Sequence, residues 1–319
     1  MNNSVVVGIS LVRNAADIVR VNVLHHLSLG LDRIVLVDNM STDGTDLVLQ
    51  ELSRDSRVRW FREDGPHPQA RVFTRLAREA YREGADWVLP IDVDEFWQTR
   101  RGNFRSILAK SESVAIRVQV INFVQRRSQL ESTPDALLHM TWRVPQPAGS
   151  PEEALELVGS GTIAHVEARY PAKWIVRPTA TVEIAHGNHH LAGIVGGLED
   201  SDEIVCLHAP LRSRAALYAK AIHGQRVEQA GGKPGESWHV RRFRQLADED
   251  RMEQEWAANS YEDGFLDVFG ARHPLVYDPT LRDAVKPFLA PSPVRTLASI
   301  PMKLARSTWQ RLRQAEQHH

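Results

Sequence analysis

Asp92, Val93 and Asp94 follow the apolar run Trp87-Val88-Leu89-Pro90-Ile91 without a spacer, and Glu95, Phe96 and Trp97 close the segment. In an extended chain, residues two apart point the same way with α-carbons about 7 Å apart, so the carboxylates of Asp92 and Asp94 are expected to converge. Convergent carboxylates attract a cation, and hard oxygen donors suit magnesium, manganese or calcium. A cation held by so few protein oxygens keeps positions for phosphate oxygens, which makes a nucleoside diphosphate the natural guest. The competing reading is a solvated acidic loop. Ile91, Val93, Phe96 and Trp97 oppose it, because a charge among such residues is costly without a partner. Farther along, His208 ends the apolar run Ile204-Val205-Cys206-Leu207 as Asp92 ends its own. It is the favoured histidine ligand, with His189 next; a buried, hydrogen-bonded histidine is the alternative.

These groups act together only if the fold delivers them to one edge. Val5 to Val12 reads as a buried strand that exits into Arg13-Asn14; Ile18, Val21, Leu24 and Leu27 then make a helical stripe, with Asn14 placed to cap it and Gly30 to close it. Arg33 to Val37 is a second strand and exits into Asp38-Asn39. Ser41-Thr42-Asp43-Gly44-Thr45 supplies turn and cap residues for a short helix through Leu47 and Leu52. Val58 to Phe61 is a third strand, Ala70, Phe73, Leu76, Ala77 and Ala80 form a helical stripe, and Trp87 to Ile91 is a fourth strand. Strands separated by helices imply an α/β fold with a parallel sheet covered on both faces, whose ligands gather at the carboxyl ends of the strands. Arg13, Asn14, Asp38, Asn39, Asp92, Asp94 and Glu95 then share an edge. For any one of them, ordinary turn and cap chemistry is an equal explanation.

Three segments, Leu11-Val12-Arg13-Asn14-Ala15-Ala16-Asp17, Asp38-Asn39-Met40-Ser41-Thr42-Asp43-Gly44-Thr45 and the stretch WVLPIDVDEFW from Trp87 to Trp97, resemble the family-two-like glycosyltransferases of GT-A fold. Lys173-Trp174-Ile175-Val176-Arg177-Pro178, His186-Gly187-Asn188-His189 and Leu207-His208-Ala209-Pro210-Leu211-Arg212-Ser213 resemble that family's acceptor half. The resemblance implies a mainly parallel, doubly wound nucleotide-binding sheet continued by a mixed acceptor half. It implies transfer of a sugar from a nucleoside diphosphate sugar, with a UDP-sugar the expected donor, to a hydroxyl of a glycan or lipid-linked glycan in polysaccharide or glycolipid assembly. A divalent metal, Mn2+ or Mg2+, would sit on the diphosphate as a Lewis acid. By the family pattern Arg13 and Asn14 lie near the nucleotide, Asp38 accepts from base or ribose, and Asp92 faces ribose and metal-bound water. Asp94 binds the metal, and His208 completes its shell. An inverting transfer also needs a carboxylate base. Glu131, after the strand Val114 to Val120 and the pair Arg126-Arg127, is the positional choice, with a solvated loop carboxylate as its alternative; the stereochemical course stays open.

Two rival functions share these residues. A phosphatase of the haloacid-dehalogenase type would use Asp92 as nucleophile, but its motif belongs to a first strand and carries Thr or Val where Phe96 stands. A non-catalytic sugar- or nucleotide-binding module is the other. Composition narrows the field further. Over 319 residues, 42% hydrophobic and 25% charged, the chain is of globular type, and its single cysteine, Cys206, excludes a disulfide framework or a cysteine-rich zinc module. Thirty-nine Lys and Arg against 40 Asp and Glu leave a net charge of -1, so no basic field recruits nucleic acid. No stretch reaches the ~20 apolar residues of a membrane span and no basic leader precedes Val5, which points to a cytoplasmic protein, peripheral at the inner face of the membrane if it acts on lipid-linked glycan. The expected organisation is a GT-A domain over 1–230, with halves 1–100 and 101–230, and a mostly helical extension over 231–319. Within the extension, Met302, Leu304, Ala305, Trp309 and Leu312 lie among Lys303, Arg306, Arg311 and Arg313, so 302–317 reads as a basic amphipathic helix for peripheral membrane contact, or for packing on protein.

Overall fold

A computed structural model of the chain describes residues 4–65, 68–229 and 238–289, with side chains left out over 225–229. The tail 302–317 and the membrane contact expected of it lie outside these residues. The described chain forms two compact units, one of residues 4–121, 171–208 and 284–289 and another of 122–170, 209–229 and 238–283. They do not follow chain order.

In the first unit β1 (Val6–Val12), β2 (Arg33–Asp38), β3 (Val58–Arg62) and β4 (Trp87–Pro90) alternate with α1 (Val19–Ser28), α2 (Thr45–Leu52) and α3 (Gln69–Arg82). β1 pairs in parallel with both β2 and β4, and β2 with β3. The chain steps from β1 to β2 to β3 in one direction, then returns to lay β4 on the other side of β1. With right-handed crossovers, that reversal places α1 and α2 on one face and α3 on the other. This is the doubly wound arrangement the sequence implies, and it opens a crevice at the carboxyl ends of β1 and β4. Period-two alternation fills both faces. Val7, Ile9 and Val88 pack on Val72, Phe73 and Leu76 of α3. Gly8 faces the other way, where a β-carbon would stand 2.7 Å from Leu31 Cδ1.

Beyond β4 the architecture becomes mixed through β5 (Glu95–Thr99), β6 (Ala115–Val118), β7 (Lys173–Val176), β8 (Leu198–Asp200) and β9 (Ile204–His208). The seven-stranded sheet runs β8-β6-β7-β4-β1-β2-β3. β7 is antiparallel to β4 and β6, so it begins where the parallel strands end. That direction brings its first residue, Lys173, to the edge on which ligands gather. β9 pairs antiparallel with β5 and sets His208 opposite Glu95.

The second unit packs Leu217, Phe243, Trp256 and Leu266 into a core of its own. Helices Arg214–Gln229 and Trp238–Asp248 approach closely at Gly224, where a β-carbon would meet Val240 O at 2.1 Å. The charged stretch that follows forms two helices, Trp238–Asp248 and Met252–Ala258, with Asp250 between them at φ 55°. Strands Ser260–Glu262, Phe265–Val268 and Ala271–Pro274 follow, so this part of the chain is not helical throughout.

Candidate active site

The exits of β1 and β2 are tied to each other. Asn14 takes the left-handed conformation, φ 47°, and its Oδ1 accepts from Thr42 N at 2.9 Å while its own N–H donates to Ser41 Oγ at 2.9 Å. Asn14 therefore does not cap α1, which starts at Val19 without a side-chain cap. It tolerates the positive φ because its short amide finds partners in the facing loop. Asp43 accepts from Ala16 N at 3.0 Å and Thr45 Oγ1 at 2.6 Å, and Arg13 Nη1 donates to Asn39 Oδ1 at 3.1 Å. The Asp38 side chain exposes no surface; Oδ1 accepts from Ser41 N at 3.2 Å and Oδ2 from Arg62 Nη1 at 3.3 Å. In this geometry Asp38 clamps the start of the Ser41–Thr45 turn. Arg13 and Asn14, expected near the nucleotide, shape the same rim through these bonds.

Between β4 and β5 the chain is not extended. Asp92-Val93-Asp94-Glu95 is a turn closed by Glu95 N–H donating to Asp92 O over 2.9 Å. The alternation that would have aligned Asp92 with Asp94 is thereby lost. Asp92 meets Lys173, whose Nζ lies 2.9 Å from Asp92 Oδ2 and 2.6 Å from Glu95 Oε1. The other oxygen of Asp92 accepts from Gln69 Nε2, and Gln69 Oε1 accepts from Gly187 N at 2.8 Å. Lys173 and Glu95 are buried, at 4% and 2% exposure. Burial alone would neutralise all of these groups, yet Asp92 and Glu95 hold the Lys173 ammonium above its ordinary range. For Asp92 the pull of Lys173 outweighs burial and keeps the carboxyl below its usual value. Glu95 goes the other way, pushed up to about 8 by burial and the neighbouring aspartates against Lys173. His189 is held down to about 3, first by burial and then by Lys173, and so stays a neutral imidazole.

Asp94 points to the other partner. Its Oδ1 lies 3.9 Å from His208 Nε2. Two ligands on one small divalent ion, with bonds of about 2.0–2.2 Å, stand at most about 4.4 Å apart, so this pair is within reach of a shared cation. The two oxygens of Asp92 are engaged by Lys173 and Gln69. Among the described residues no group of three or more His, Cys, Asp or Glu side chains is set to hold a metal. Glu131 belongs to the second unit, where its carbonyl accepts from Gln129 Nε2 at 2.9 Å.

The acidic turn is held from behind by α1. Buried Asn22 donates through Nδ2 to Val93 O at 3.0 Å and Glu95 O at 2.7 Å. His26 Nδ1 is 2.8 Å from Asn22 O, which fixes its proton there and leaves Nε2 to accept from Trp97 N at 3.1 Å. His25 Nε2 meets Trp97 O at 2.9 Å. Sequence reasoning passed over Asn22, His25, His26 and Gln69, and gave Lys173 no role of its own within the segment that carries the acceptor-half resemblance. A signal existed for Lys173 alone, a cation heading the apolar strand Trp174-Ile175-Val176.

No protein-family model and no curated protein matches the chain. Among solved structures it is similar to HddC from Yersinia pseudotuberculosis complexed with GMP-PN, at 13% identity and TM-score 0.27 over 38% of this chain and 64% of that one. The chain thus spans less than two thirds of the length of HddC. It is similar to S. aureus TarS 1-349 in complex with UDP, at 12% identity and TM-score 0.36 over 75% of this chain and 69% of that one. Mannose-1-phosphate geranyltransferase from Thermus thermophilus is similar at 13% identity and TM-score 0.29, over 91% of this chain and 80% of that one.

Proposed function

We propose that the chain is a GT-A glycosyltransferase that binds a nucleoside diphosphate sugar, a UDP-sugar first among candidates, at the carboxyl edge of β1 and β4 and transfers the sugar to a glycan or lipid-linked glycan hydroxyl. The observation that carries this reading is the Asp94–His208 pair, 3.9 Å apart on adjoining strand ends beside a buried lysine–carboxylate cluster. One carboxylate and one imidazole suit Mn2+ better than the strictly oxygen-seeking Mg2+, with positions left for phosphate oxygens. Bound there, the cation would supply Lewis-acid neutralisation of the leaving diphosphate. Lys173 pairs with Asp92 and Glu95; with Glu95 pushed up to about 8 and so protonated at neutral pH, the ammonium is balanced by Asp92, which leaves the Asp94 carboxylate for a divalent ion. Asn22 holds the turn that aims Asp94, and the clasped loops of Arg13–Asn14 and Ser41–Thr45 shape the nucleotide rim.

In the transfer, the acceptor oxygen forms a bond to the anomeric carbon as the bond from that carbon to the diphosphate oxygen breaks, and the diphosphate leaves with the electron pair. In an inverting course the acceptor proton passes to a carboxylate base. A phosphatase using Asp92 as nucleophile is less well supported, because Lys173 and Gln69 engage both of its oxygens. Incubation with a panel of nucleoside diphosphate sugars and Mn2+, read as nucleoside diphosphate release, tests the proposal. Release from at least one sugar that stops on chelation is expected; phosphate release from phosphomonoesters without any such activity would favour the phosphatase.

A further inference from the structure

A groove of about 580 Å³ runs along α3, away from the acidic turn. One wall carries Arg71, Arg75, Arg78 and Arg82, and the other is the hairpin Glu183–Ile184 and Leu191–Ala192. The arginines fall at spacings of four, three and four residues, which stacks them on one helical face over about 16 Å. The hairpin is stitched to α3 by Gln69 with Gly187, by Thr74 Oγ1 accepting from Ile184 N at 2.9 Å, and by Arg78 Nε donating to Val182 O at 2.9 Å. The two walls are therefore tied together before any ligand binds, and only the exposed arginine side chains remain to be ordered. Four guanidiniums face a single lining carboxylate, Glu183, which lies 3.6 Å from Arg78. Arg75 pairs with Glu63. Arg71 and Arg82 are exposed, and no ion pair or hydrogen bond to a described residue engages their guanidiniums.

The solvated-face reading explains isolated arginines on a helix, but it does not explain a walled groove whose one end abuts the candidate active site. Gln69, the first residue of α3, donates to Asp92, and the next two residues, Ala70 and Arg71, already line the groove. Between the arginines the lining combines apolar Ala70, Ile184, Ala185 and Ala192 with polar Thr74 and His190, a mixture that suits the faces and hydroxyls of sugar rings. Planar guanidiniums in a row pair with carboxylate or phosphate oxygens through paired hydrogen bonds.

We infer that this groove binds an anionic glycan chain, bearing phosphodiester or uronate charges, and leads its growing or modified residue to the Asp92–Glu95 turn. As an acceptor track it rests on the glycosyltransferase reading; as a polyanion site it stands on its own. The test compares the full chain with Arg71→Ser/Arg82→Ser, and with the charge-matched control Arg54→Ser/Arg101→Ser, all exposed positions. Binding of inorganic polyphosphate and of oligogalacturonate is measured by calorimetry without nucleotide, alongside UDP binding with Mn2+ on the same samples. The groove variant should lose about tenfold or more in affinity for at least one polyanion, the control should lose less than about twofold for the same ligand, and UDP binding should be equal in all three. The tighter probe then identifies the charge type. Equal loss in groove variant and control, or no polyanion binding by the wild type, overturns the inference. Polyanion binding without UDP binding leaves the groove standing and removes the glycosyltransferase reading instead.

Discussion

Lys173→Met deletes the ammonium but keeps most of the stem, and so isolates the charge that the antiparallel β7 delivers to the site. Lys173 is 4% exposed and its partner Glu95 2%, with Nζ to oxygen distances of 2.9 and 2.6 Å. Removing one member of a buried pair strands the other in a medium that solvates it poorly, which costs about 3–5 kcal/mol. Protonation of Glu95 relieves part of that loss. The Glu95 carboxyl sits at about 8 in the fold against an ordinary 4.5, so between these values the folded state holds the extra proton. In the wild type, its contribution is full below 4.5 and is lost as pH rises through 8. Without the ammonium the carboxyl rises further, and the variant must hold that proton against a larger pH gradient. Urea unfolding of wild type and variant at pH 6 and pH 9 should therefore show a larger difference at pH 9. A difference below about 1 kcal/mol at both pH values is what an exposed pair gives, and it would refute the buried-counter-ion argument.

Asn22→Ala removes the donor shared by Val93 O and Glu95 O and should cost about 1–3 kcal/mol in urea unfolding; a change under about 0.5 kcal/mol would mean that α1 does not hold the acidic turn. Asp38→Ala leaves Ser41 N–H without its acceptor and should lower stability by a similar amount, about 1–3 kcal/mol; weakened UDP binding with unaltered stability would return Asp38 to the ligand. His189, held down to about 3, should show no imidazole titration by NMR between pH 5 and 8. A midpoint near 6.5 would place it in solvent instead.

The alternation of β1 to β4 with α1 to α3 was legible because buried parallel strands are short apolar runs, and their polar exits name the edge. By the same logic the apolar run Ile204 to Leu207 was legible as a strand, β9, with His208 at its end. What failed was local geometry in Asp92–Glu95, where a turn replaced the assumed extended chain and sent the two aspartates to different partners. Lys173 was hidden by distance, since it meets Asp92 across 81 residues through an antiparallel pairing that no local pattern announces. Asn14 sat where a helix cap belongs, yet its partner Thr42 is 28 residues away. On α1 the apolar stripe was visible, but Asn22, His25 and His26 look like interruptions of it until the backbone they hold is in view.

The central claim is that Asp94 and His208, without Asp92, hold the divalent ion that meets the diphosphate. Electron paramagnetic resonance titration of Mn2+ in the presence of UDP measures this directly in wild type, Asp94→Asn, His208→Ala and Asp92→Asn. The account predicts Mn2+–UDP binding by the wild type, at least about tenfold weaker binding in the first two variants, and binding within about threefold of wild type in Asp92→Asn. Loss in Asp92→Asn with retention in Asp94→Asn or His208→Ala would contradict it.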